Sequence, residues 1–248
     1  MNLSDEELER YARHIVLPQV GGVGQGKLKS AKVGLIGAGG IGSAVIPALA
    51  GAGVGRLTII DDDVVELANL HRQPLFRERD AGYSKADLAL QFVQRLNRFV
   101  TAKPVQQRIG AENAGELLTG HDVVIDGSDN FATRLAVSDA CVGLGIPLVS
   151  AAAVQFQGQV GLFRSKPCYR CFVGDAFDAD DCDNCAELGV LGALTATVGS
   201  FAALLAINTI AGVGDDQAGK LHLFDGEKLE WRAIRIPADP ACRACGSG

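Results

Sequence analysis

Lys32-Val33-Gly34-Leu35-Ile36-Gly37-Ala38-Gly39-Gly40-Ile41-Gly42-Ser43-Ala44-Val45-Ile46 decides the fold. A short apolar run rich in branched residues reads as a buried strand. Six residues of the form G-x-G-x-x-G follow, and then an apolar stretch suited to a helix. Glycines in such a turn let the backbone approach a phosphate or ribose closely, and the helix N-terminus favours an anion. A second strand, Leu57-Thr58-Ile59-Ile60, ends at Asp61, 19 residues after Gly42. An acid at that spacing accepts hydrogen bonds from ribose hydroxyls. Gly37, Gly39, Gly40, Gly42 and Asp61 are therefore candidate nucleotide contacts. This pattern does not choose between NAD and ATP.

Working outward, strands and helices alternate. Ser4 to Leu17 is expected to be one helix with Ser4 as cap, Glu7 at the capping-box position, and Leu8, Tyr11, Ala12 and Ile15 on one face. Gly21 to Gly26 reads as a glycine-rich link. A helix is expected over Gly40–Ala52 with Pro47 inside it, and another from Ser84 to Asn97. Val123-Val124-Ile125 reads as a strand ending at Asp126, followed by a helix over Thr133–Leu144 and a strand at Pro147-Leu148-Val149. This alternation implies an α/β fold with a doubly wound, mostly parallel, Rossmann-like sheet. Beyond Ala151, Gln159–Phe163 and Leu221–Phe224 alternate as antiparallel strands do. They predict an antiparallel extension of the same core in the C-terminal third. Residues 1–248 are thus expected to form one domain, with an N-terminal helix at 4–17, a nucleotide-binding core at 30–150 and a further region at 151–248.

Bulk properties narrow the function. The chain has 248 residues, 48% of them hydrophobic, and a formal net charge of −6. An acidic chain argues against a nucleic-acid partner, which favours a basic face. The acidic N-terminus has no apolar core of a secretion signal. Leu188–Gly214 is uncharged, but its Thr, Ser and Asn residues and the lack of a basic flank favour a buried helix over a membrane span. A cytoplasmic protein with no membrane partner is expected. Six of the seven cysteines form Cys-x-x-Cys pairs: Cys168/Cys171, Cys182/Cys185 and Cys242/Cys245. In a reducing compartment such pairs point to metal or thiol chemistry. Two of them would supply four thiolates to a closed tetrahedral Zn²⁺ site, and spacing alone leaves three ways to choose the two. Cys141, in an apolar helix, reads as core.

The segment after the second strand says more about the nucleotide. Asn69-Leu70-His71-Arg72-Gln73 precedes Tyr83-Ser84-Lys85, which opens the next helix. An arginine and a lysine near the phosphate loop suit a triphosphate better than the pyrophosphate of NAD. Asp129 follows the strand that ends at Asp126, where sites gather in open α/β sheets, and is a candidate for holding Mg²⁺. His71 reads as packing.

Taken in order, Arg10-Tyr11-Ala12-Arg13-His14-Ile15-Val16-Leu17, the Gly37–Gly42 loop, Asn69–Gln73, Ser128-Asp129-Asn130 and Pro167-Cys168-Tyr169-Arg170-Cys171 resemble the MoeB/ThiF/HesA family. That family is related to the adenylation domains of ubiquitin-activating enzymes. The resemblance spans roughly residues 4–246. It implies ATP-dependent adenylation of the C-terminal glycine of a small ubiquitin-like sulfur-carrier protein ending in Gly-Gly, the substrate of the 151–248 region. It implies ATP contacts at Gly40, Asp61, Asn69, Arg72, Lys85 and the Asp129-Asn130 pair, and an Mg²⁺-associated Asp129. It also implies a homodimer in which Arg13 reaches the neighbouring subunit's ATP, and Zn²⁺ held by Cys168, Cys171, Cys242 and Cys245. Cys185 matches a cysteine that handles the activated carrier in some members, within an acidic segment, Gly174–Cys185, expected to be mobile. Cys182 has no counterpart in the pattern. The sequence stops soon after Cys245, so the sulfur donor is expected to be a separate protein, a cysteine desulfurase or a rhodanese. Three other readings compete. An NAD-dependent oxidoreductase leaves Arg72, Lys85 and the knuckles unexplained, and a nonenzymatic module binding ubiquitin-like tails needs no phosphate cations. An adenylating relative that modifies tRNA fits the acidic charge less well.

Overall fold

The computed structural model describes residues 3–174 and 189–246. The Ser4 hydroxyl accepts from the Glu7 N–H at 3.3 Å, and the Glu7 carboxylate takes the Ser4 N–H at 2.8 Å, which caps α1 (Asp5–Arg10). The helix expected over 4–17 is broken at Tyr11 (φ −100°, ψ 13°), and α2 (Ala12–Ile15) follows as a separate turn. Tyr11 enters the core, where its phenol accepts from Asn97 Nδ2 at 2.8 Å, while Leu8 and Ala12 of the expected face stay exposed. The stretch read as a glycine-rich link is instead α3 (Gly21–Ser30). Packing overrides poor helix propensity here: Gln25 is fully buried and donates to the Ala52 carbonyl at 2.8 Å.

The remaining elements follow the alternation: β1 (Lys32–Ile36), α4 (Gly42–Ala52), β2 (Arg56–Ile60), α5 (Lys85–Leu96), β3 (Thr101–Val105), α6 (Ala114–Leu118), β4 (Val123–Asp126), α7 (Phe131–Leu144), β5 (Leu148–Val154), β6 (Gln157–Phe163), α8 (Tyr169–Val173), α9 (Gly192–Ala211), β7 (Lys220–Asp225) and β8 (Glu230–Arg235). They build one eight-stranded sheet in the order β3-β2-β1-β4-β5-β6-β7-β8. Pairs from β3 to β5 are parallel, and pairs from β5 to β8 are antiparallel. The antiparallel extension therefore shares the core sheet. Pro104 is tolerated inside β3 because that strand is an edge.

Helices cover both faces, each with its own apolar core. One contains Leu35, Ile46, Leu49, Val198 and Ala202, contributed by β1, α4 and α9. The other contains Val124, Leu135, Val137, Phe163 and Tyr169, contributed by β4, α7, β6 and α8. The uncharged stretch expected as a buried helix is α9, long and apolar enough to cross a membrane. Leu194, Val198, Ala202 and Leu205 are buried on one side of it, while Ala193, Thr197, Ser200 and Leu204 face outward. Cys141 is buried as expected, and burial with the nearby Asp126 charge pushes its thiol up to about 12.

Candidate nucleotide site and four-cysteine cluster

Strand order reverses between β1 and β4, so the carboxyl ends of these strands flank the crevice where open α/β sheets bind ligands. The glycine loop leaves β1 at that point. Gly37 has φ +86°, a region that disfavours side chains, and a Cβ on Gly42 would lie 2.2 Å from the Gly37 carbonyl oxygen. Glycine at these two positions lets the chain reverse and enter α4 directly. Asp61 braces the turn: its Oδ2 accepts the Ala38 N–H at 2.6 Å and its Oδ1 the Asp63 N–H at 2.9 Å. Burial pushes the Asp61 carboxyl above its ordinary value, opposed by the Ala38 N–H and the Lys85 charge. The residue expected to receive a ribose thus also holds the loop that would receive the phosphates.

The N-terminal turns of α9 close one side of the crevice. A Cβ on Gly40 would meet Thr195 Oγ1 at 3.0 Å, and one on Gly192 would meet the His71 carbonyl oxygen at 2.3 Å and Arg72 Cα at 3.1 Å. The Asn69–Gln73 segment is wedged between this helix and the glycine loop. Asn69 Nδ2 donates to Glu66 at 3.1 Å, and Arg72 Nη1 lies 2.9 Å from His71 Nε2. His71 is exposed rather than packed, which corrects the sequence reading. Gln73, the last residue of this segment, is 3% exposed, and its Oε1 has no hydrogen-bond partner among the described residues.

Lys85, at the start of α5, has its side chain 4% exposed and its Nζ 2.7 Å from Asp63 Oδ2. Asp129 lies three residues past β4, exposed, on a turn that touches the glycine loop: a Cβ on Gly37 would sit 3.2 Å from the Gly127 carbonyl oxygen. A single exposed carboxylate is a hard oxygen ligand that suits Mg²⁺, which keeps most of its waters. Asn130 is the cap of α7, its Oδ1 accepting the Thr133 N–H at 2.9 Å. Arg13 lies exposed on α2, which is anchored by His14 Nδ1 to Gln25 at 3.1 Å and through Gln25 to Ala52, at the C-terminal end of α4. The glycine loop is at the other end of that 11-residue helix, about 16 Å away.

The Sγ atoms of Cys168, Cys171, Cys242 and Cys245 lie within 4.8 Å of one another, with Cys168–Cys242 at 3.6 Å and Cys171–Cys245 at 3.3 Å. Tetrahedral zinc with Zn–S bonds of about 2.3 Å needs sulfurs about 3.8 Å apart, so the cluster fits Zn²⁺. Burial opposes the Cys242 thiolate, but the backbone N–H groups of Cys245 and Ala244 outweigh it and bring this thiol down to about 7. Between the first two cysteines, Arg170 forms a two-pronged pair with Asp139 of α7, at 2.6 and 2.7 Å. Cys182 and Cys185, with the rest of the acidic segment after Gly174, lie outside the described residues.

Two surface grooves, of about 580 and 780 Å³, lie elsewhere. The first runs along α5 past Arg77, Arg79 and Arg95, and the second lies between α3 and the end of α9; neither includes the glycine loop.

A sulfur carrier protein adenylyltransferase of Thermus thermophilus is 43% identical over 253 residues, covering 99% of this chain and 93% of that protein. A SAMP-activating enzyme E1 of Haloferax volcanii is 41% identical over 249 residues, covering 100% of this chain and 92% of that protein. The adenylyltransferase and sulfurtransferase MOCS3 of Bos taurus is 44% identical over 98% of this chain, which spans 54% of its length. Among solved structures, E. coli MccB has the same fold, with a TM-score of 0.85 at 24% identity over 100% of this chain and 74% of its own. The ThiF family profile matches residues 11–244, nearly the whole length over which strand order, glycine loop and cysteine cluster are laid out, and the chain belongs to the ThiF family.

Proposed function

We propose that this protein is an adenylyltransferase that uses ATP to activate the C-terminal glycine of a small ubiquitin-like sulfur-carrier protein. The observation that carries the reading is the convergence at the β1/β4 crevice of the glycine loop, the Arg72 segment, Lys85 and Asp129. The names of the relatives at 41–44% identity agree with it. The chain acts as one unit, with residues 151–248 receiving the carrier and holding the metal.

In this reaction the glycine carboxylate attacks the α-phosphorus of ATP, and the bond to the departing pyrophosphate breaks. The products are a carrier acyl-adenylate and pyrophosphate. The attacking carboxylate is already ionised, so no general base is needed. The protein's task is positioning and charge neutralisation. Gly37 to Gly42 receive the phosphates, and Asp61, Asn69 and Asn130 line the nucleotide. Arg72 and Lys85 face the charge that develops on the α- and β-phosphates. Asp129 would hold Mg²⁺, which would supply further charge neutralisation at the phosphates. The four cysteines would hold Zn²⁺, which would tie the C-terminal segment to α8 as a closed structural site.

Arg13 lies on α2, which is anchored to the end of α4 opposite the glycine loop, and this supports a homodimer in which it serves the neighbouring site. Sulfur chemistry follows adenylation, with a separate protein as donor. The family resemblance assigns that later step to Cys185, outside the described residues. The reading places the enzyme in the cytoplasm, where ATP and carrier meet.

The test is ATP–pyrophosphate exchange that depends on an added Gly-Gly carrier. Arg72→Ala and Asp129→Ala each lower exchange by about two orders of magnitude, as expected for losing electrostatic stabilisation of developing charge. Exchange near the wild-type rate in both variants would overturn the assignment.

A further inference from the structure

Arg134 lies on α7 with 7% exposure, in a helix otherwise charged only at Asp139. A buried guanidinium is costly unless it is paired and hydrogen-bonded. Its partners show what holds it. Nη2 donates to the Ser128 carbonyl, at short range, and to the Ala151 carbonyl on β5 at 3.0 Å. Asp126, fully buried at the end of β4, supplies the opposing charge, and the Tyr169 side chain at the start of α8 also favours the charged guanidinium. Ser128 immediately precedes Asp129. Tyr169 immediately follows Cys168.

The turn is also held from within: Asp126 Oδ1 accepts the Ser128 N–H at 2.9 Å and the Ser128 hydroxyl at 2.7 Å. Asp126 Oδ2, Arg134 Nη1 and, one turn further along α7, Ser138 Oγ are buried without a hydrogen-bond partner among the described residues. A site that served stability alone would do better with apolar side chains of similar volume. The polar set is explained if its work is to fix the backbone of one turn. That turn carries Asp129, and the residues between the first two cysteines face the same helix, Arg170 paired with Asp139 and Tyr169 acting electrostatically on Arg134.

We propose that Arg134 is a positioning residue: it clamps the Asp126–Asp129 turn for adenylation and couples it, through Tyr169, to the Cys168/Cys171 knuckle. This rests on the adenylation reading for its chemical consequence, though not for the clamp itself. Arg134 touches no substrate. It acts by limiting where the Asp129 carboxylate can sit, and hence how tightly Mg²⁺ is held beside the phosphates.

The experiment compares wild type with Tyr169→Phe, Arg134→Lys and the double variant Asp126→Asn/Arg134→Met. The double variant removes both charges together, so no unpaired ion is left buried. Tyr169→Phe deletes one oxygen and keeps the ring contacts with Phe163 and Phe172. Three quantities are read: zinc content, amide hydrogen exchange over residues 127–130, and the Mg²⁺ half-saturation of carrier-dependent ATP–pyrophosphate exchange. In the double variant, amides 127–130 exchange about tenfold faster or more, while β1 and α4 keep their protection. Its turnover falls by about tenfold to a hundredfold, as a small displacement of a catalytic group produces, with a raised Mg²⁺ half-saturation. Arg134→Lys lies between it and wild type. Tyr169→Phe keeps full zinc and shows the same changes in weaker form.

Wild-type protection of 127–130 in the double variant, or an unchanged Mg²⁺ half-saturation, overturns the clamp. If that variant does not fold, Tyr169→Phe decides: unchanged turn amides overturn the coupling. Wild-type enzyme lacking carrier-dependent exchange would defeat the adenylation reading instead, and the amide measurement would still judge the clamp.

Discussion

The ammonium of Lys85 lies 2.7 Å from the carboxylate of Asp63, with the lysine side chain 4% exposed and the aspartate 66% exposed. One partner of this pair is out of water and the other is in it. Removing Asp63 would leave a buried cation unpaired, whereas an arriving phosphate could replace the carboxylate. Asp63→Asn should therefore lower the stability of the nucleotide-free protein by about 1 kcal/mol, modest because the aspartate is solvated. Saturating ATP should restore most of that loss. Thermal melts with and without ATP read the difference. An equal loss in both conditions would mean that Lys85 never changes partner. The same burial makes Lys85→Ala a poor test of chemistry alone, because it also opens a cavity.

Arg13 and Asp129 are predicted to meet only across a dimer. Arg13→Ala and Asp129→Ala proteins, each nearly inactive, should recover activity when mixed under conditions of subunit exchange. A mixed dimer has one site free of both changes, so random mixing of equal amounts returns about a quarter of wild-type exchange. Absence of recovery, with subunit exchange demonstrated by labelled chains, would place Arg13 in some other role.

The cysteine cluster predicts one Zn²⁺ per chain. Cys168→Ser, Cys171→Ser, Cys242→Ser or Cys245→Ser should lose the metal and melt at lower temperature, because a structural site contributes directly to folding. Metal analysis that found full zinc in Cys242→Ser and none in Cys182→Ser would reassign the ligands.

The N-terminal cap predicts an acid sensitivity. Burial acts to raise the Glu7 carboxyl, but Lys29, at 2.6 Å, and the Ser4 N–H outweigh it and hold the group below its ordinary value of 4.5. A depressed carboxylate stabilises the fold above that ordinary value and loses its contribution as pH falls through the lower folded value. Lys29→Met should therefore melt below wild type near neutral pH, and the two melting curves should converge below about pH 4. A gap that persists undiminished to about pH 3 would show that Lys29 acts through packing of its stem rather than through Glu7.

The phosphate loop, most parallel strands and the antiparallel extension were legible because their signals are local. Branched apolar runs, a glycine turn and an acid at the end of β2 state their own conformation. The two cysteine pairs were legible as ligands but not as partners, because spacing within a pair carries no information about which other pair folds beside it. α3 was misread because its glycines argue against a helix, and only contacts with Ala52 and the end of α9 favour one. β3 was missed because Pro104 disqualifies a central strand, and nothing local says that this strand lies at an edge.

By itself, then, the sequence determined the phosphate loop, the branched apolar strands and the residue types near the nucleotide loop. Tertiary structure alone decided their relations: that Lys85 pairs with Asp63, that α2 with Arg13 is anchored at the end of α4 opposite the glycine loop, and that Arg134 is buried behind the Ser128–Asp129 turn. A charged residue on a helix is read as solvated unless its neighbours across the fold are known. Those neighbours come from β4, β5 and α8, up to 35 residues away along the chain at Tyr169, and it is their combined burial and charge that make Arg134 a buried brace rather than a surface cation.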